Sequence, residues 1–189
     1  MKIILASQSP RRRELLGQMG LDFRIIVPDI DEHMDRSLPP DKLVEAISAE
    51  KAAAVEKLVG PDAVVIAADT VVVLDGAVLG KPVDESDAKR MLSALSGRHH
   101  QVYTGFTVRQ GEKTVTRSEC TEVAFRPLNP LEIDAYIRTG EPMDKAGAYG
   151  IQGLGALLVG GIRGDYFNVM GLPVCALGQV LTRFGVNCL

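Results

Sequence analysis

Asp69 stands between two apolar runs, Ala63-Val64-Val65-Ile66-Ala67-Ala68 before it and Val71-Val72-Val73-Leu74 after it, an unusual place for a charge. A carboxylate buried in a strand needs partners. Backbone N–H groups or a lysine would make it a structural residue, whereas a metal ion or a water to deprotonate would make it a ligand or a general base. We take the functional reading. A second group of candidates lies at the N-terminus, where Ser7-Gln8-Ser9-Pro10 leads into Arg11-Arg12-Arg13. Pro10 suits the first turn of a helix. A helix start offers unpaired N–H groups and the positive end of a dipole, and hydroxyls and guanidinium groups beside it suit a phosphate. The same residues also fit an ordinary capped helix with solvated arginines, because successive helical positions point in different directions.

Lys51 falls near the centre of an apolar helical stripe of Leu43, Val44, Ile47, Ala54, Val55 and Leu58. A lysine there must snorkel out or meet an anion. Left unpaired, it would add little to packing, and its loss would weaken chemistry more than stability. Residues 144–153, Asp-Lys-Ala-Gly-Ala-Tyr-Gly-Ile-Gln-Gly, can bring backbone amides close to a ligand, or can serve as a flexible connection. Gly80-Lys81-Pro82 lies outside the Gly-x-x-x-x-Gly-Lys-[Ser/Thr] pattern and is not a nucleotide P-loop. His99 and His100 cannot both face one metal from a strand, and a solvated turn is expected for them.

The elements that must hold these groups read as alternating strands and helices. Residues 3–5, 23–27 and 63–68 are predicted strands, with β signal continuing over 71–74 to an Asp75-Gly76 hairpin turn. A long helix is predicted from Asp41 as N-cap to Gly60-Pro61, and others over 86–96, from Asn129-Pro130 to Gly140, and over 173–184. Two strands, 102–108 and 114–125, flank a Gly111 turn; 156–159 is a further strand and 164–168 a turn. The pattern predicts a mixed α/β sheet in a single domain spanning 1–189, and no linker or repeat divides it.

Composition narrows the classes. Hydrophobic residues make up 46% and charged residues 24%, as in an ordinary globular protein. The net charge of −3 argues against a nucleic-acid or anionic-membrane binder, which would show a broad basic face. Three scattered cysteines without a Cys-x-x-Cys pair indicate neither a zinc ribbon nor a disulfide framework. No signal peptide or membrane span is evident, which predicts a reduced, cytoplasmic protein.

Taken together in order, several stretches resemble the Maf family of nucleoside triphosphate pyrophosphatases. They are Ser7-Gln8-Ser9-Pro10-Arg11-Arg12 with Leu15-Leu16, Glu32, Lys51-Ala52, Ala68-Asp69-Thr70, Gly80-Lys81-Pro82, Ser96-Gly97-Arg98 and Thr104-Gly105. Residues 144–153 and Gly164-Asp165-Tyr166 with Val169-Met170-Gly171-Leu172-Pro173 complete the set. The resemblance implies a Maf or inosine triphosphatase-like fold, a mixed, twisted sheet with flanking helices in two lobes around a central cleft. It implies hydrolysis of a nucleoside triphosphate to monophosphate and pyrophosphate with a divalent cation, Mg²⁺ or Mn²⁺. It marks Asp69 as proton acceptor and Arg12, Thr70 and Gln152 as specificity positions of the dTTP/UTP subgroup, rather than the 7-methyl-GTP subgroup.

The residues agree with that chemistry. Attack between the α- and β-phosphates needs charge neutralisation, an activated water and cations on the leaving pyrophosphate. Glu32 and Asp69 could supply hard oxygen ligands to the metal, or Asp69 could deprotonate water directly. Ser7, Arg12, Lys51 and Lys81 are candidates for the phosphates, and Gln152 for the base edge. The expected partner is the triphosphate, and a homodimer is left open. The family name also carries an effect on septum formation, so a cell-division regulator acting by partner binding is the competing reading; the resemblance also implies, as an expectation, clearance of non-standard nucleotides.

Overall fold

The computed structural model describes residues 2–27, 30, 35 and 37–189. Among the described residues, seven strands form one mixed sheet in the order β2-β1-β3-β5-β6-β7, with β4 paired to β3. The strands are β1 (Ile3–Leu5), β2 (Phe23–Ile25), β3 (Val64–Leu74), β4 (Ala77–Leu79), β5 (His99–Gln110), β6 (Lys113–Phe125) and β7 (Val159–Arg163). The helices are α1 (Pro10–Gln18), α2 (Pro40–Val59), α3 (Glu85–Leu95), α4 (Pro130–Ile137), α5 (Tyr166–Met170) and α6 (Val174–Leu181). The α/β class expected from the alternating pattern is the class observed.

Two compact units divide the chain, the first comprising Met1–Asp69, Thr104–Glu119 and Gly171–Leu189, the second Thr70–Tyr103 and Cys120–Met170. In the first unit β1 runs parallel to β2 and to β3, with Ile4 opposite Arg24 and Val65. Ile4, Ala6, Ala52, Val55, Val65 and Ala67 are fully buried and join α2 to this parallel layer. Burying each branched aliphatic side chain contributes roughly 1.5–3 kcal/mol, which is what fixes α2 against the strands.

The helix α2 begins at Pro40 with Pro39 as its N-cap, so Asp41 sits in the first turn rather than at the cap. An aspartate one position further in still favours the positive helix end. Its buried stripe is Leu43, Val44, Ile47, Ser48, Lys51, Ala52 and Val55, whereas Leu58 is exposed. Gly105 on β5 lies so close to α2 that an added Cβ would collide with the Val44 carbonyl and lie 2.7 Å from the Glu45 nitrogen. Only glycine permits that approach. A buried hydroxyl chain continues the contact, Ser48 Oγ lying 2.9 Å from Thr107 Oγ1, itself 2.9 Å from Thr116 Oγ1.

The second unit buries one face of α3 (Ala88, Met91, Leu92, Leu95) against α4 and residues of β3, β5 and β6. The Asp75-Gly76 turn adopts φ of 52° and 78°, the two positive values that a tight hairpin between β3 and β4 demands. Three sequence expectations fail in this unit. Residues 153–158 form a short 3₁₀ segment, and the strand begins only at Val159. The stretch expected as a turn over 164–168 contains the start of α5. The third is the histidine pair, which opens β5 instead of forming a solvated turn.

Strand alternation sends His99 to the surface and His100 inward, where it is 2% exposed. His100 Nε2 lies 2.7 Å from Tyr149 Oη, and its ring packs edge-on against Phe125 and Tyr149. Burial, with the neighbouring His99 adding to it, lowers the His100 pKa to about 4. The neutral ring is therefore the form that folds. An unfolded chain binds a proton there from pH 6.5 downward, so the stability present above that pH is lost as pH falls from 6.5 towards 4. At about 1.4 kcal/mol per unit, the loss totals roughly 3 kcal/mol. Urea unfolding of His100→Phe at pH 7 and pH 4.5 should show a smaller acid penalty than the unmutated protein. Equal penalties would contradict the assignment.

Candidate active site

Asp69 is the last residue of the first unit and lies in the middle of β3, directly before Thr70. Its Oδ1 accepts a hydrogen bond from Lys51 Nζ at 2.8 Å, and both side chains are nearly buried, 13% and 8% exposed. The lysine on the core-facing stripe thus meets an anion instead of snorkelling. The helix period brings it there: Lys51 is one turn beyond Ile47 on the face that packs the sheet. A pair this far from water gains more from its attraction, and loses more when one member is removed, than an exposed pair does.

The N-terminal motif converges on the same strand. Ser9 is the N-cap of α1, accepting from the Arg12 backbone N–H. Arg12 turns inward, with Nε donating to the Gly171 carbonyl at 2.7 Å and Nη1 to the Ala68 carbonyl at 2.8 Å. The carbonyl it grips belongs to the residue before Asp69. Nη1 also lies 3.4 Å from Ser7 Oγ, and Ser7 is itself buried. Ser7 Oγ accepts from Arg12 Nη1 and from the Ser9 N–H, so its own proton is left to donate among the described residues. A shallow cavity of about 280 Å³ opens beside Ser7, Ser9, Pro10 and Arg13. Arg13 is exposed whereas Arg11 and Arg12 are half-buried, so the three successive arginines do not share one environment.

Thr70, Lys81 and Gln152 belong to the second unit. Lys81 is exposed, and the turn that carries it is tied to the 144–153 segment, Gly147 N–H donating to the Gly80 carbonyl at 3.0 Å. Gly147 has φ of 70°, and a Cβ there would sit 2.9 Å from Val72 Cγ2, so this glycine is required on both counts. Ala148 beside it is fully buried at φ 61°, a strained conformation for a residue with a Cβ. Gln152 is half-buried, and its amide makes no hydrogen bond among the described residues.

Glu32 lies outside the described residues. Among those described, no group of three or more His, Cys, Asp or Glu side chains could hold a metal. The donor set nonetheless suits a hard divalent cation. Asp69 Oδ2 carries no hydrogen bond among the described residues, and Mg²⁺ is commonly held by one or two carboxylates together with substrate phosphates.

The sequence reading did not single out Glu141, which organises the 150–155 segment, and it misplaced His100 in a solvated turn. Glu141 follows a glycine and precedes a proline, and nothing in its spacing marks it as a hub. His100 could have been found, since in a strand whose Val102, Thr104 and Phe106 face one side, it shares their parity.

Comparison with known proteins gives a consistent picture. A family model described as Maf-like protein matches residues 2–184. A dTTP/UTP pyrophosphatase of Moorella thermoacetica is 56% identical, over 98% of this chain and 96% of its own. A dTTP/UTP pyrophosphatase of Symbiobacterium thermophilum is 52% identical (97% and 94%), and that of Bacillus pumilus 50% (98% and 98%). Among solved structures, a HAM1 protein from Coxiella burnetii aligns with a TM-score of 0.58 at 16% identity, covering 97% of this chain and 99% of that one. That likeness concerns the fold alone.

Proposed function

Because the chain belongs to the Maf family, we propose that it is a nucleoside triphosphate pyrophosphatase that hydrolyses dTTP and UTP to the monophosphate and pyrophosphate. The observation that carries the proposal is the nearly buried Lys51–Asp69 pair on a strand whose preceding carbonyl is gripped by Arg12. A fold does not need a carboxylate here, and a paired one with an oxygen to spare suits proton transfer.

In this reading Asp69 accepts the proton of the attacking water at Oδ2, while Lys51 holds Oδ1 and so fixes the plane of the carboxylate. Ser7 donates its hydroxyl proton to a phosphate oxygen. Arg12 contributes positive charge and, through the Ala68 carbonyl, holds the backbone that presents Asp69. Lys81, exposed on its turn, is available to the phosphates as a mobile point charge. A divalent cation would be held by Asp69, with Glu32 as the second carboxylate; when bound it neutralises phosphate charge during the attack. Arg12, Thr70 and Gln152 set the choice of base. The reading takes residues 1–189 as one catalytic domain, supported by β3, β5 and β6, each of which runs from one unit into the other. Among the described residues no helix is long and apolar enough to cross a membrane. We place the protein in the cytoplasm, where its triphosphate substrates are made.

Turnover of dTTP, UTP, CTP, ATP and GTP, with and without a chelator, tests the proposal. The triphosphates dTTP and UTP should be hydrolysed in preference to the others, and chelation should stop the reaction. No turnover on any triphosphate would favour a partner-binding regulator instead.

A further inference from the structure

The segment that carries Gln152 is held at one end by Glu141 and at the other by Tyr136, which Glu141 itself holds. Glu141 Oε1 accepts the Tyr136 O–H at 2.8 Å and the Gly155 N–H at 3.0 Å, and Oε2 accepts the Leu154 N–H at 3.1 Å. Tyr136 Oη in turn accepts the Gly150 N–H at 3.3 Å. Burial above all, with the Glu141 carboxylate adding to it, pushes the Tyr136 phenol above its ordinary range, so it remains a donor. Lys145 closes the other side, its Nζ donating to the Glu141 carbonyl at 2.6 Å. The glycines leave room for this: a Cβ on Gly153 would lie 2.9 Å from Glu141 Oε2, and one on Gly155 would lie 2.6 Å from Tyr136 Oη.

Gln152 sits at the crest between the two anchored ends, with backbone φ −96° and ψ 170° and no cap bond from its side chain. Its own amide makes no hydrogen bond among the described residues, so the backbone beneath it is the support that the structure gives it. We infer that Glu141 is a positioning residue for base selection: its carboxylate, with Tyr136, fixes the 150–155 backbone and thereby the direction in which the Gln152 amide meets the substrate base. This rests on the role proposed above for Gln152 and deepens it. A rigid crest presents one donor–acceptor order to the base, whereas a loose one lets the amide serve uracil and cytosine alike.

The test compares kcat/KM for UTP and CTP in Gln152→Ala, Glu141→Gln and the double variant, with melting curves alongside. Glu141→Gln keeps the acceptor for one N–H but turns an NH₂ donor towards the other. We expect Glu141→Gln to lower the UTP/CTP ratio by roughly 10- to 100-fold, the scale of a misplaced contact group, with a smaller loss in kcat for UTP. The double variant should lose no more of the ratio than Gln152→Ala alone. If Gln152→Ala lowers the ratio and Glu141→Gln lowers turnover of both substrates equally, the positioning role is overturned and the base-reading role stands. If Gln152→Ala leaves the ratio unchanged, base reading by Gln152 fails, and the positioning role fails with it. Should Glu141→Gln not fold, Tyr136→Phe, which keeps the ring packing and removes only the hydroxyl, is subject to the same outcomes.

Discussion

Asp69→Asn should reduce turnover by about 10²–10⁴-fold while the protein still folds, because asparagine keeps the shape and one acceptor for Lys51 Nζ but cannot take up a proton. Loss of a metal ligand would add to that deficit. Lys51→Met should behave differently. Read from the sequence, an unpaired lysine on the core-facing stripe would be nearly dispensable for stability; the ion pair reverses that expectation. Removing the cation leaves a carboxylate, 13% exposed, without its counter-charge, which costs about 3–5 kcal/mol. The double variant Lys51→Met/Asp69→Asn should then be more stable than Lys51→Met alone, since its buried partner no longer carries charge. Urea unfolding and turnover of the three variants check this together. A Lys51→Met protein that melts normally would contradict the stabilising role of the pair, and an Asp69→Asn protein with near-normal turnover would move the chemistry elsewhere.

Selectivity for dTTP and UTP over purine triphosphates is the larger effect. A site built on specific hydrogen bonds rejects mismatched analogues by up to roughly 10⁴–10⁵-fold, because its polar groups are left unpaired. Uracil and thymine present carbonyl acceptors on either side of an N3–H donor, and a glutamine amide can donate to O4 and accept from N3–H in one plane. Half a turn of that amide would match cytosine as well, so Gln152 needs a fixed support to exclude CTP. The 5-methyl of thymine matters far less, a methyl contact being worth only about 1–3 kcal/mol. Gln152→Ala should therefore lower the preference for dTTP and UTP over CTP more than it lowers turnover. Similar kcat/KM values for dTTP, ATP and GTP in the unmutated protein would refute the pyrimidine assignment.

The elements that hold these groups were legible to different degrees. Buried strands such as β1 and the first half of β3 show as continuous apolar runs, and the Asp-Gly turn names its own geometry. The Lys51–Asp69 pair was half visible, since the helical wheel shows that Lys51 faces inward but not which anion it meets 18 residues on. Contacts of long sequence separation left no local trace. Arg12 reaching Gly171, Gly105 meeting the α2 backbone, and Glu141 gathering the 150–155 amides all depend on tertiary packing that no periodicity encodes. The strand expected at 156–159 failed for a related reason: the register with β6 begins only where Val159 meets Phe125, beside the extra residue Gly160 that β7 carries there.

The bond that breaks is the most direct test. Phosphorus NMR of a UTP reaction in the presence of Mg²⁺ should show UMP and pyrophosphate appearing in equal amounts, with no orthophosphate. Orthophosphate accompanied by UDP would contradict the account, because water would then have attacked the terminal phosphate rather than the bond between the α- and β-phosphates.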